Sequence, residues 1–196
     1  MPTPRLFDPD KVAYYEKAGW EAYYDRNWLR AFMLLVRLNR EQFRMGLLTA
    51  VSAAMDTVRA SRAFAPVDND IPEAQAQIQK FFAKARPGLE IKASAQKLAE
   101  LEMDYWVVHR QLALRRIEDH EDHDIEAMTQ SLANLHAALF NSTPEAMRES
   151  AEYRALAAKA VDRITGKYSQ DVTADWREVE NYLQRAYRSV KQVTGR

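Results

Sequence analysis

The chain has no cysteine. That excludes disulfides, thiolate metal sites and a cysteine nucleophile together. Glycine (5) and proline (7) are both scarce in 196 residues, so few sharp turns interrupt what should be long regular elements. Excess charge of either sign is lacking too: 28 Lys and Arg balance 28 Asp and Glu. The field of the whole molecule therefore gives no steering toward nucleic acid or an anionic membrane. The opening MPTPRLFDPD lacks the basic stretch, apolar run and small-residue cleavage site of an export signal, so a cytoplasmic location is expected. Met45 to Met55 is the most apolar stretch, yet it is far too short to cross a bilayer and contains Thr49 and Ser52. It reads as a core helix, and no membrane partner is expected.

Common catalytic signatures are missing as well. There is no Gly-rich phosphate loop, no Gly-x-Ser-x-Gly and no His-Glu-x-x-His. No Glu-x-x-His occurs anywhere, which disfavours a ferritin-like di-iron bundle, since that site needs the pair on two helices.

What the chain does contain is helical periodicity. The spacing predicts seven helices in one all-α domain over residues 1–196, packed mostly antiparallel as a bundle. The first runs from Asp10 to Arg40, with Val12, Tyr15, Gly19, Tyr23, Arg30 and Met33 on one side and a bend expected near Asn27. The second covers Gln42 to Ala65 and stops at Pro66. The third follows the Asp70 cap and ends at Pro87-Gly88. Ser94 caps a fourth that reaches about Arg116. The run EDHEDHD, residues 118–124, has no apolar anchor and is expected to be a solvated acidic loop, including His120 and His123. A fifth helix carries Ile125 to Leu139, a sixth runs from Thr143-Pro144-Glu145 to Gly166, and the last spans about Asp171 to Val190. No fixed-period repeat or flexible linker divides the chain.

Polar residues inside apolar stripes mark candidate sites, because an unpaired buried charge is costly. On the fourth helix Glu102 and His109 lie two turns apart with Trp106 between them. His136 sits among Leu132, Leu135 and Leu139, and Glu149 edges the inner face of the sixth helix. Carboxylate and imidazole are ligands for iron or manganese, so Glu102, His109, His136 and Glu149 form the candidate metal set. The competing reading makes each a structural lock, satisfied by a neighbouring helix. The first helix brings Glu16, Trp20, Tyr23, Arg30 and Arg37. With Trp106 they would line an aromatic pocket or groove with arginine donors for a carboxylate or phosphate. Structural pairing of Glu16 with Arg26, or of Glu102 with Arg30, is the alternative.

The spacing of Glu102 and His109, on a helix of a seven-helix chain, resembles the opening ligand pair of the heme-oxygenase-like di-metal oxidases. That resemblance implies a metal-dependent oxidase whose further ligands lie on later helices; here no histidine follows His136. The residues read by themselves favour a non-catalytic helical protein that binds a small molecule or protein partner, with the cofactor open and a homo-oligomer allowed. Nucleic-acid binding through Arg26, Arg30, Arg37, Arg40, Arg44, Arg59 and Arg62 is disfavoured by the neutral total.

Overall fold

The computed structural model describes residues 7–119 and 124–195. Among them are eight helices and no strand. They are α1 Pro9–Tyr24, α2 Trp28–Phe43, α3 Leu47–Phe64 and α4 Ile71–Leu89, followed by α5 Ala95–Asp119, α6 Glu126–Phe140, α7 Arg148–Thr165 and α8 Val172–Thr194.

The count exceeds the expected seven because the Asp10–Arg40 span is two helices rather than one bent one. Arg26 adopts a left-handed conformation at φ 58°. Asn27 then accepts a hydrogen bond from the Arg30 N–H at 3.3 Å, which caps a new helix. Asp8 caps α1 through the amides of Asp10 and Lys11, with Pro9 at the first helical position. Asp70, Ser94 and Asp171 cap α4, α5 and α8 in the same manner, each accepting from an N–H three residues on. Other ends differ from the expected boundaries. The helix expected from Gln42 begins at Leu47, because α2 runs on through Phe43 and Arg44 then turns left-handed at φ 55°. The sixth predicted helix begins at Arg148, after a turn in which the Thr143 hydroxyl accepts from the Ala146 N–H. The fourth continues past Arg116 to Asp119, and residues 120–123, with His120 and His123, lie outside the described residues.

Pro87 does not stop α4, which continues two residues to Leu89. At Gly88 the helix approaches the C-terminal end of α2 so closely that a Cβ would sit 1.9 Å from the Phe43 carbonyl oxygen. Backbone cannot yield as a side chain does, so Gly88→Ala is expected to cost about 1–3 kcal/mol through forced displacement of the α2–α4 contact. Gly19 is the control: a Cβ there would meet only the Leu34 Cβ at 4.0 Å. Gly19→Ala should therefore stabilise by roughly 0.5–1 kcal/mol, the helix-propensity difference alone. Urea midpoints moving the same way for both variants would contradict this account.

Each helix packs against the next in sequence, and α8 returns to α1, so the bundle closes into a ring. Contacts of α2 with α4 and of α5 with α7 brace it. Leu98, Leu132, Met128 and Leu183 fill the core. The buried side of α7 is almost all small: Ala151, Ala155, Ala157, Ala158 and Ala160 allow α8 to approach with Val179, Leu183 and Val190.

Candidate functional site

Two charged residues break the alanine face of α7, and each organises a polar cluster inside the ring. Arg154 is the first. Its Nη1 lies 2.6 Å from Glu16 Oε1 on α1 and donates to the Tyr187 hydroxyl on α8 at 3.0 Å. Tyr187 in turn donates to the other Glu16 oxygen. The Trp20 ring centre stands 5.9 Å from the Arg154 guanidinium carbon. Glu102 accepts from the Trp106 indole N–H at 2.8 Å, one turn along α5. Burial works against the Arg154 charge, but Glu16 and then Tyr187 outweigh it and hold the guanidinium well above its ordinary value. Burial pushes Glu102 up, opposed by Arg154 and by the Trp106 bond. It also raises Tyr105 and Tyr187, with Glu16 reinforcing the effect at Tyr187, so both phenols stay protonated.

Asp162 organises the second cluster, two turns further along α7. Its Oδ2 accepts from Arg116 Nη1 at 2.5 Å and its Oδ1 lies 3.0 Å from His109 Nε2. Tyr105 stacks parallel to the His109 ring at 5.7 Å between centres. Arg116 is fully buried, and its Nε and Nη2 have no hydrogen-bond partner among the described residues. His136 meets Ser150 instead, Nδ1 to Oγ at 3.0 Å. Burial, with Arg154 adding to it, lowers the His136 pKa to about 3. The ring is therefore neutral and suited to accept from the hydroxyl.

The four residues of the metal set thus engage four different groups. Glu102 holds Trp106, His109 holds Asp162, His136 holds Ser150, and the exposed Glu149 accepts from Ser189 at 2.9 Å. Among the described residues no group of three or more His, Asp or Glu side chains is placed to hold a metal ion. The ligand set divides as well. Glu16, Trp20 and Trp106 belong to the interior around Arg154 and Glu102. Tyr23 is exposed and meets Trp28 and Tyr24 edge-on. Arg30 is exposed at the start of α2, and Arg37 lines a surface cleft. Glu16 pairs with Arg154 rather than Arg26, because Arg26 terminates α1 with an exposed side chain. Glu102 bonds within its own helix rather than with Arg30. Arg154, Asp162, Arg116 and Tyr187 were not among the expected residues. The available signal was a cation and an anion set into a run of alanines.

The cleft containing Arg37 lies where the start of α1, the end of α2 and the end of α8 meet, and has a volume of about 1190 Å³. Lys11, Arg37, Arg40, Arg44, Arg188 and Lys191 border it, against Asp8, Asp10 and Glu41, with Phe7, Tyr15 and Met45 as apolar surface. All three carboxylates are engaged. Asp8 caps α1, Asp10 takes both Nε (3.1 Å) and Nη2 (2.7 Å) of Arg188, and Glu41 accepts from the Asp8 N–H at 3.0 Å. Arg37, Arg40, Arg44 and Lys191 have no hydrogen-bond or ion-pair partner among the described residues. Arg37 and Arg40 lie one turn apart on α2, and Arg44 follows as its C-cap in a left-handed conformation at φ 55°.

Searched against protein-family models, curated proteins and solved structures, the chain finds no match.

Proposed function

We propose that this is a non-catalytic binding protein that takes a polyanionic ligand, bearing two or more phosphate or carboxylate groups, in the cleft between α1, α2 and α8. One observation supports the reading above all: Arg37, Arg40, Arg44 and Lys191, without an ion-pair partner among the described residues, border a cleft whose three carboxylates each already accept a hydrogen bond. Arginine presents a planar fork matched to phosphate and carboxylate, and charge-assisted bonds of this kind are the strong ones. Tyr15 and Met45 supply apolar surface for the body of such a ligand. The interior clusters fit a different role. Their charges face one another across α1, α5, α7 and α8, so they serve to fix the helices in register.

Calorimetric titration with tripolyphosphate at low ionic strength tests the proposal. Wild type is expected to bind, and Arg40→Ala with Arg44→Ala to weaken binding by roughly tenfold or more, since each charge-assisted bond is worth about 1.5–3 kcal/mol. Both residues are exposed, so the unfolding midpoint of the variant should stay unchanged. An absence of binding, or equal affinity in the variant, sinks the proposal.

A further inference from the structure

The amphipathicity of α3 is reversed. Toward the bundle it presents Ala50, Ala53, Ala54 and Ala60, all fully buried. Its large apolar residues face outward: Leu48 is 85% exposed, Val51 36%, Met55 39% and Val58 42%. Spacings of three, four and three align those four as one continuous stripe. A helix serving only the bundle core would carry this pattern the other way round. The neighbouring α2 adds Trp28, Leu29 and Met33, all exposed.

Charge is segregated on the same hairpin. Residues 26–65 hold seven arginines and no lysine, against only Glu41 and Asp56. Glu41 accepts from the Asp8 N–H, and the buried Asp56 is paired with Lys84 and lies 3.8 Å from Arg59. The segment is therefore net positive, although the chain as a whole is neutral.

We propose that the outward face of α2 and α3 docks on an anionic lipid surface. The occupant follows from charge and chemistry together. The face requires a partner that is negative, supplies phosphate-like acceptors to arginine, and accepts apolar side chains to the depth of one helix face. A bilayer interface offers all three: the stripe enters the acyl boundary, Arg30 and Arg62 reach back to headgroup phosphates, and Trp28 sits at headgroup level. A second copy of this chain fits less well. The exposed face of α3 offers arginines, Arg59 and Arg62, and no free carboxylate, so a self-complementary pairing of two copies supplies them with no acidic partner. The contact is peripheral, since among the described residues no helix is long and apolar enough to cross a membrane. It does not depend on the cleft proposal: with Arg37, Arg40 and Arg44 of the cleft set aside, the segment still holds Arg26, Arg30, Arg59 and Arg62, and the apolar stripe carries the contact.

Flotation of the full chain with vesicles decides it. Vesicles of phosphatidylcholine with phosphatidylglycerol should retain the protein at least roughly tenfold better than pure phosphatidylcholine, and retention should fall as salt rises. Leu48→Ser with Met55→Gln should lower retention at least tenfold while leaving tripolyphosphate binding intact; conversely, Arg40→Ala with Arg44→Ala should remove the tripolyphosphate signal first. Failure to float, or equal flotation of the stripe variant, overturns the inference. So does a wild-type dimer in light scattering that the stripe variant dissolves, or capture of an acidic amphipathic peptide in preference to vesicles.

Discussion

Replacing Arg154 with methionine is expected to destabilise the fold by about 3–5 kcal/mol, because it leaves a buried carboxylate without its partner. Glu16 is 5% exposed and holds both Arg154 and Tyr187. Once the guanidinium is gone, one neutral hydroxyl remains to satisfy it. Glu102 loses the same cation, which opposes the upward push of burial on its carboxyl. Adding Glu16→Gln should return part of the loss, since the second change removes the charge that the first one stranded. Urea unfolding followed by helical circular dichroism measures both. Arg30→Met, an exposed change on α2, supplies the scale and should stay within about 0.5 kcal/mol of wild type. A loss below about 1 kcal/mol for Arg154→Met would mean that the α1–α7–α8 cluster does not lock the bundle.

The contrast between Arg154 and Arg30 also marks what could be read in the sequence. Periodicity, capping residues and the proline positions placed most of the helices, because those signals act within a few residues. The split of the first predicted helix turned on one left-handed residue, Arg26, and helical periodicity persists on both sides of it. Glu16, Trp20, Trp106, Glu102 and His109 were recognisable as polar or amphipathic residues on inward stripes. Their partners were not, since Tyr187 lies 171 positions from Glu16 and Asp162 lies 53 from His109. Ring closure of α8 on α1 creates the first contact, and nothing local announces that closure. Net charge is uninformative for a related reason. Equal totals conceal an uneven distribution: residues 26–65 hold seven arginines against two carboxylates, so the total says nothing about any one face.

Histidine 136 yields the second large effect, and it appears with pH. The ring ordinarily titrates at 6.5 but in the fold only at about 3, because burial and then Arg154 disfavour its charged form. Above pH 6.5 both folded and unfolded chains hold it neutral, and it contributes no pH dependence. As pH falls from 6.5 toward 3 the unfolded chain takes up a proton that the folded chain refuses, so stability declines by up to about 1.4 kcal/mol per pH unit. Glu102 acts in the opposite sense. Its raised value favours the fold below the ordinary carboxylate range, and that stability is lost as pH rises through the folded value. Comparing wild type with His136→Leu cancels Glu102 and the surface carboxylates, which both proteins share. At pH 7.5 the variant should be the less stable, since Ser150 loses its acceptor and is 1% exposed. By pH 5 the gap should have narrowed by about 2 kcal/mol, the linkage integrated over that interval. Parallel stability curves for the two proteins between pH 7.5 and 5 would show that His136 is protonated as readily in the fold as outside it, and with it would go the picture of a neutral imidazole held against Ser150 in the interior.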